Sequence, residues 1–132
     1  MLCLTSNAGA KDFQLLNFDG KPLYKIVAEK VKSWNKKRNC GLVVGATYPE
    51  QLKEIREIAQ DFPILIPGVG AQKGDAELTV KYGTDKNGEL AIINSSRGII
   101  YASSDKDFAE AARREAERLR NEFNLYREKR GV

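Results

Sequence analysis

The sequence predicts an α/β protein with a parallel sheet, built from four β/α units. Three short apolar runs are continuous and do not alternate with polar residues, which is typical of strands buried on both faces of a parallel sheet. The runs are Leu42-Val43-Val44, Ile64-Leu65-Ile66 and Ala91-Ile92-Ile93. Each is followed by a stretch with helical periodicity. A chain of 132 residues, 42% of them apolar, is long enough to bury a core.

With the apolar amino terminus, these runs give four expected strands, near residues 1–5, 41–45, 63–67 and 90–94. Between the first strand and the first long helix we expect a polar loop over 8–20, with Asp19-Gly20 as a turn. No linker or low-complexity segment separates the units. Residues 1–132 are therefore expected to form a single partial domain.

The first long helix is expected from Pro22 to about Asn35, because proline is tolerated in the first helical turn. Its inward stripe would be Leu23, Val27, Val31 and Trp34. A capping box, Thr47-Tyr48-Pro49-Glu50, is expected to open the next helix. The inward side chains of that helix would be Leu52, Ile55 and Ala59.

A shorter helix is expected from about Gly74 to Tyr82, with Gly83 ending it. Ser104 with Asp107 resembles a second capping box, which would open the last helix. The inward stripe there would be Phe108, Ala112, Ala116, Leu119 and Phe123. Its charged face is expected to carry pairs such as Glu110 with Arg114, and the tail over 126–132 is expected to fray.

Composition narrows the possible functions. The sequence contains no histidine, which excludes Ser-His-Asp and Cys-His catalysis and removes a common zinc ligand. The net charge of +4 suits an anionic ligand without indicating nucleic acid binding. No apolar run approaches the ~20 residues of a membrane span. Cys3 and Cys40 are expected to be buried, reduced thiols, which indicates a cytoplasmic protein.

Two neighbouring strands are each followed by a loop of small residues with one polar side chain, Gln72 in the first loop and Arg97 in the second. Small residues let backbone N–H groups approach an anion, and a following helix adds its positive end. A guanidinium can hold two phosphate oxygens at once. The last two strands of a β/α barrel use such loops to bind phosphate. We therefore expect a phosphate-ester site in which Arg97 is the strongest residue.

Four β/α units are an unusual number, because a closed barrel needs eight. Half a barrel would leave two unpaired sheet edges and an uncovered apolar interior. The chain also begins directly in a predicted strand, at Leu2-Cys3-Leu4. We therefore expect that a preceding portion is missing or is supplied by another chain.

Four motifs with a distinctive order and spacing are spread along the chain between residues 4 and 99. They are Leu4-Thr5-Ser6-Asn7-Ala8-Gly9-Ala10, Gly41-Leu42-Val43-Val44-Gly45-Ala46-Thr47, Pro67-Gly68-Val69-Gly70-Ala71-Gln72-Lys73-Gly74-Asp75 and Asn94-Ser95-Ser96-Arg97-Gly98-Ile99. Together they resemble the second half of the orotidine 5′-phosphate decarboxylase family, in its bacterial-type branch, from residue 1 to about 124. The resemblance implies the fifth to eighth units of a TIM-type eight-stranded β/α barrel. It also implies conversion of orotidine monophosphate to uridine monophosphate without a cofactor.

The same resemblance implies roles for five residues. Ser6 would contact the pyrimidine ring, Gln72 would bridge base and phosphate, and Arg97 would grip the phosphate. The backbone of Gly70 and of Ser96 would lie beside that phosphate. The expected partners are orotidine or uridine monophosphate, and either a missing amino-terminal half or further copies of the chain in a homo-oligomer. No metal, nucleic acid or membrane is expected to bind.

Two departures from the family pattern matter. Ala8 stands where the family commonly has proline, which would loosen that loop. The family's chemistry resides in a Lys-Asp-Lys-Asp array, part of which is a Lys-x-x-Asp-Ile motif that these 132 residues lack. The resemblance therefore implies that phosphate and base binding are kept, while electrostatic stabilisation at the reacting carbon is lost. No residue of this chain is assigned as catalytic.

Two other interpretations stay open. The chain could be a non-catalytic phosphate-binding half-barrel that dimerises to complete a barrel. It could also belong to another phosphate-binding barrel, such as a sugar-phosphate isomerase, in which Arg97 keeps its role and the substrate changes.

Overall fold

Parallel strands alternate with helices in the computed structural model, which describes residues 1–69 and 75–131. In chain order the elements are β1 (Leu2–Leu4), α1 (Ala10–Phe13), β2 (Asn17–Phe18), β3 (Lys21–Pro22), α2 (Leu23–Trp34), β4 (Leu42–Val44), α3 (Pro49–Ile58), β5 (Ile64–Pro67), α4 (Ala76–Gly83), β6 (Ala91–Asn94), α5 (Ser96–Ile100) and α6 (Phe108–Lys129). The expected α/β fold and its four strands are confirmed.

The main sheet has the strand order β1-β4-β5-β6, and every neighbouring pair is parallel. Each strand therefore pairs with the next strand of the sheet along the chain, as in one arc of a β/α barrel. β2 and β3 form a separate antiparallel hairpin. Its two-residue turn is Asp19-Gly20, where both residues have positive φ (49° and 79°), as tight hairpin turns require. The predicted turn is confirmed.

The core lies between one face of this sheet and the helices. On the sheet, Val44, Ile64 and Ile66 are fully buried, and they belong to the same cluster as Leu52 and Ile55 of α3. The inward residues expected for α3 are thus confirmed. On α2 the buried residues are Tyr24, Ala28 and Val31.

The opposite face of the sheet carries a row of apolar side chains. Leu2 pairs with Val43, Val43 with Leu65, and Leu65 with Ile92, so all four project from the same face. Leu2, Leu65 and Ile92 are 64%, 36% and 55% exposed. β1 and β6 form the two edges of the sheet. We call these four residues the interior row, because they occupy the side that a closed barrel would enclose.

Exposed apolar surface next to open strand edges favours association between chains. We expect the chain to self-associate at micromolar concentration, and Ile92→Glu to shift it towards monomer by placing a charge in the interior row. Sedimentation velocity measures the association state of the wild type and of Ile92→Glu. Leu125→Glu, which places the same charge on exposed α6, is the matched control and should leave association unchanged. A monomeric wild-type chain with cooperative melting would contradict this expectation.

Two expectations for α2 are wrong. Pro22 precedes the helix in an extended conformation (ψ 145°), because it pairs with Asn17 in the β2–β3 hairpin. Trp34, expected to pack inward, is exposed at the carboxyl end of α2. The helix instead buries a stripe offset by one residue from the expected one, with Tyr24 and Ala28 in place of Leu23 and Val27.

Neither predicted capping box forms. Tyr48 is the N-cap of α3, so Thr47 lies one residue too early, and its Oγ1 has no hydrogen-bond partner within the described part of the chain. At α6 the N-cap is Asp107, which makes no side-chain cap bond. Its carboxylate instead accepts from Ser103 Oγ (2.6 Å) and pairs with Arg114 (3.1 Å).

The observed α6 differs from the expected helix in three ways. Phe108 is exposed, and the buried residues are Ala111 and Leu119. The helix continues to Lys129 where fraying was expected, and Arg130 then donates to the Val80 carbonyl of α4 (3.3 Å). The charged face is paired, but not between Glu110 and Arg114. The observed pairs are Glu110–Arg113, Arg113–Glu117, Glu115–Arg118, Arg118–Glu122 and Asp107–Arg114.

α4 matches its expected position. Its N-cap, Asp75, accepts a hydrogen bond from Leu78 N (2.8 Å), and the predicted start at Gly74 lies outside the described residues. The helix ends at Gly83, where a Cβ atom would collide with Ile66 of β5. Glycine at this position therefore allows α4 to pack closely on the sheet. None of the helices in the described ranges is long and apolar enough to cross a lipid bilayer.

Candidate phosphate-binding site

The parallel strands bring several loops to one edge of the sheet, at the carboxyl ends of the strands. Backbone hydrogen bonds join these ends: Gly45 N donates to Leu4 O (2.8 Å), and Ala46 N donates to Pro67 O (2.9 Å). The loops after β1, β4, β5 and β6 therefore share this edge.

A small cavity of about 100 Å³ lies between the loops after β5 and β6. Its lining residues are Pro67, Gly68, Val69, Asn94, Ser95, Ser96 and Arg97. Arg97 contributes a cation and Ser96 a hydroxyl, and both residues are exposed at the mouth. Such a set of donors suits an anion with several oxygen atoms.

Local backbone geometry explains the shape of this cavity. Pro67 and Asn94 are the last paired residues of β5 and β6. Gly68 then takes a φ of +103°, which only glycine adopts readily, so the chain turns away from the sheet. In α5, a Cβ atom at Gly98 would lie 2.7 Å from Ser95 Oγ. Glycine at this position lets the short helix that carries Arg97 pack on Ser95.

The structure places three of the five predicted site residues. Ser96 and Arg97 line the same cavity. Gly70 and Gln72 lie outside the described residues. Ser6 follows β1 at the far edge of the sheet, three strand spacings from β6, or roughly 14 Å along a flat sheet. A ligand that touched both Ser6 and Arg97 would have to span this edge.

Ser6 is held in a defined position. Its side chain packs on Gly45, where a Cβ atom would collide with Ser6 Oγ. The preceding residue, Thr5, is anchored by Gln14, which accepts from Thr5 N (2.7 Å) and donates to Thr5 Oγ1 (3.0 Å). The loop that contains Ala8 is thus fixed at both ends by Thr5 and Gln14.

Three buried polar atoms at this edge of the sheet have no hydrogen-bond partner among residues 1–69 and 75–131: Ser6 Oγ, Thr47 Oγ1 and Asn94 Oδ1. Buried polar groups are usually paired, so unpaired ones along this edge are groups that a ligand or the undescribed residues 70–74 could satisfy. Sequence reasoning did not select Thr47 or Asn94 for the site. Both lie at or just after the carboxyl ends of predicted strands, where β/α proteins place their site residues, and this position could have identified them.

Two of the larger cavities formed by the described residues illustrate surfaces less suited to the predicted ligand. One of about 590 Å³ lies between β6 and α6 and is lined mainly by apolar side chains such as Ile93, Leu119 and Phe123. Another of about 920 Å³ lies at the amino ends of the strands and includes Arg56 and Asp85. Neither contains a predicted site residue.

The sheet also contains a buried thiol. Burial raises the pKa of the Cys3 thiol in β1 to about 12, so this thiol stays protonated at neutral pH. Within 1–69 and 75–131, no three His, Cys, Asp or Glu side chains come close enough to hold a metal ion.

Comparison with known proteins agrees with this picture. The profile of the orotidine 5′-phosphate decarboxylase / HUMPS family matches residues 1–114. Orotidine 5′-phosphate decarboxylase of Ralstonia pickettii is 54% identical over 128 residues, which are 96% of this chain and 47% of the relative. The enzyme of that name from Dehalococcoides mccartyi is 50% identical over 133 residues, covering 98% of this chain and 49% of the relative.

Solved structures give the same result. The OMP decarboxylase of Leishmania donovani aligns with a TM-score of 0.82 and 36% identity, over 96% of this chain and 46% of that protein. The UMP synthase of L. donovani aligns with the same TM-score and 38% identity, over 96% of this chain and 27% of that protein. The chain spans about half the length of the curated relatives it matches. By sequence and by fold, it belongs to the orotidine 5′-phosphate decarboxylase / HUMPS family.

Proposed function

We propose that this chain is the carboxy-terminal, phosphate- and base-binding half of an orotidine 5′-phosphate decarboxylase, acting on orotidine monophosphate in pyrimidine biosynthesis. The observation that carries the proposal is Arg97 beside Ser96 in the small cavity between the loops after β5 and β6. The match to relatives called orotidine 5′-phosphate decarboxylase supports a nucleotide as the phosphate ester and favours this proposal over a sugar-phosphate isomerase.

Within this proposal each predicted site residue has one role. Arg97 holds the 5′-phosphate together with the backbone of Ser96 and Gly70. Gln72 links the phosphate to the base, and Ser6 contacts the pyrimidine ring. The position of Ser6 supports its role, because a nucleotide with its phosphate at Arg97 would extend along the carboxyl edge of the sheet towards β1.

The chain would bind nucleotide without converting it. The family's Lys-Asp-Lys-Asp array has no match in the sequence, and the proposal assigns it to the other half of the barrel. Binding energy alone does not lower a chemical barrier, whereas preorganised charges at the reacting carbon do. We propose further that residues 1–132 form a single partial domain that needs no cofactor. A cytoplasmic location is proposed as well, and the two free cysteines support it.

Arg97→Ala tests the phosphate site. Charge-assisted hydrogen bonds to an anion contribute roughly 1.5–3 kcal/mol each. We therefore expect the variant to bind uridine monophosphate about tenfold more weakly or worse, since ~1.4 kcal/mol is a factor of ten. Uridine, which lacks the phosphate, should bind wild type and variant alike. Isothermal titration calorimetry measures the dissociation constants of both ligands for both proteins.

Arg113→Ala, on the exposed face of α6, is the matched control and should leave both affinities unchanged. Equal weakening of uridine and uridine monophosphate by Arg97→Ala would show that Arg97 is structural. The phosphate site would then lie elsewhere.

A second candidate function is a non-catalytic half-barrel completed by a second copy. The interior row and the open edges at β1 and β6 favour it, because parallel strands allow β6 of one copy to pair with β1 of the other. Ligand binding by a lone homodimer, without any amino-terminal half, would support this alternative.

A further inference from the structure

The two chain neighbours of Ser6 are held by a series of hydrogen bonds that starts at Gln14. Gln14 Oε1 accepts from Thr5 N (2.7 Å), and Gln14 Nε2 donates to Thr5 Oγ1 (3.0 Å). Thr5 Oγ1 in turn donates to Asn7 Oδ1 (2.5 Å). Thr5 and Asn7 directly precede and follow Ser6, so the Gln14 side chain fixes the backbone segment that carries the serine.

The direction of these hydrogen bonds follows from their first member. A backbone N–H can only donate, so the oxygen of the Gln14 carboxamide faces Thr5 N and its NH2 group faces Thr5 Oγ1. The Thr5 hydroxyl has one proton, and Asn7 Oδ1 at 2.5 Å is a nearer acceptor than Gln14 Oε1 at 3.2 Å. Gln14 therefore supplies an acceptor and a donor at once, which neither methionine nor an ionised glutamate can do.

The backbone of Gln14 is itself anchored to two helices. Its N–H donates to Ala10 O (2.8 Å) and so closes the single turn of α1. Its carbonyl accepts from Tyr24 N (3.0 Å) in the first turn of α2. Ala10 and Tyr24 are both buried. The carboxamide that holds Thr5 therefore projects from a fixed point of the fold.

Ser6 is also supported from the side of the sheet, because it packs on Gly45, where a Cβ atom would collide with Ser6 Oγ. A side chain that is held in place before the ligand binds does not have to be ordered on binding, which increases affinity. We propose that Gln14 is a positioning residue, which acts through its hydrogen-bonded partners to hold Ser6 in place for the pyrimidine ring. This inference rests on the proposed function, in which Ser6 contacts the base.

The experiment compares uridine monophosphate with ribose 5-phosphate, which keeps the sugar and the phosphate but has no base. Calorimetry on the complete chain, alone and mixed with the amino-terminal half of the R. pickettii relative, measures the dissociation constants of both ligands. We expect Gln14→Met to weaken uridine monophosphate by about three- to tenfold, the range of one neutral hydrogen bond, and to leave ribose 5-phosphate unchanged.

Two further variants serve as controls. Gln14→Glu keeps the acceptor for Thr5 N and should bind uridine monophosphate with an affinity between those of wild type and Gln14→Met. Gln60→Met makes the same change at an exposed position after α3 and should match wild type with both ligands. If Gln14→Met weakens ribose 5-phosphate as much as uridine monophosphate, Gln14 supports the fold in general and the inference is overturned.

A double-mutant cycle tests whether Gln14 acts through Ser6. In a chain that already carries Ser6→Ala, Gln14→Met should weaken uridine monophosphate little further, because the contact that it positions is gone. Additive losses from the two changes would show that Gln14 acts independently of Ser6, against the inference.

The outcomes also separate this inference from the proposed function. If Ser6→Ala weakens uridine monophosphate and Gln14→Met does not, the role of Gln14 is wrong while the base contact stands. If Ser6→Ala has no effect, the base contact and the role of Gln14 are both wrong while the phosphate site stands. If wild type binds neither ligand in either condition, the proposed function fails and this inference fails with it.

Discussion

Replacing Arg56 with methionine is expected to unfold the chain at room temperature or bring it close to unfolding. Arg56 lies in α3 and is only 8% exposed. Its guanidinium donates five hydrogen bonds of 2.6–2.9 Å, all to backbone carbonyls. The acceptors are the carbonyls of Ala59, Phe62, Gly83 and Leu90.

These four carbonyls come from different parts of the fold. They lie at the end of α3, just before β5, at the end of α4 and just before β6. Arg56 therefore ties together the amino ends of two strands and the carboxyl ends of two helices. Burial lowers the pKa of this guanidinium to about 10, which still leaves it charged at neutral pH.

Methionine fills a similar volume but donates no hydrogen bond, so four carbonyls would lose this donor. Leu90 O still accepts from Ile64 N (2.9 Å) and Ala59 O from Phe62 N (3.4 Å), whereas the carbonyls of Phe62 and Gly83 would be left without a donor among the described residues. Each buried group left unpaired costs about 1–3 kcal/mol, and with the weakened pairing of the other two we expect a total loss of about 3–5 kcal/mol. Domains are typically stable by only ~5–15 kcal/mol, so this loss is a large fraction of the whole. Urea denaturation followed by circular dichroism measures it.

The matched control is Arg113→Met, which removes exposed ion pairs with Glu110 and Glu117 on α6. Exposed pairs of this kind contribute less than ~1 kcal/mol. Arg56→Lys, which keeps the charge and three donors, should fall between wild type and methionine. Equal midpoints for the two methionine variants would show that the Arg56 network does not stabilise the fold.

The sequence predicted the strands well because their signal is local. Continuous runs such as Ile64-Leu65-Ile66 identify buried parallel strands whatever lies around them. Helix boundaries were less accurate, because tertiary contacts decide them. Pro22, expected in the first turn of α2, pairs in the β2–β3 hairpin instead. The last helix, expected to fray after residue 126, continues to Lys129, where it lies next to α4. The Asp19-Gly20 turn was a local signal for the hairpin, whereas the contact between α6 and α4 has no signature in neighbouring residues.

The candidate site was likewise predicted only in part. Arg97 could be selected because it follows a buried strand among small residues, and the structure places it in a cavity. Asn94 was overlooked, because only pairing and burial reveal that its carboxamide oxygen has no partner among the described residues. Arg56 was overlooked too, although its place beside Ile55 and Ala59 on an apolar stripe was a usable signal.

The second large effect concerns catalysis. We expect the purified chain alone to show no decarboxylation of orotidine monophosphate above the uncatalysed rate. The Lys-x-x-Asp-Ile motif is absent from its sequence, and removing even one group that stabilises a transition-state charge costs about 10²–10³ in rate. Adding the amino-terminal half of the R. pickettii relative should supply the array and cover the interior row. Activity should then appear, and Arg97→Ala should reduce it sharply.

The most direct test is a steady-state decarboxylation assay of the chain alone, of the R. pickettii amino-terminal half alone, and of their mixture. We predict turnover in the mixture and in neither part separately. The turnover number of the mixture should rise towards the ~10 per second typical of enzymes as a larger fraction of the two halves assembles into closed barrels. Turnover near that rate by the isolated chain would contradict the account, because the catalytic groups would then have to lie within these 132 residues.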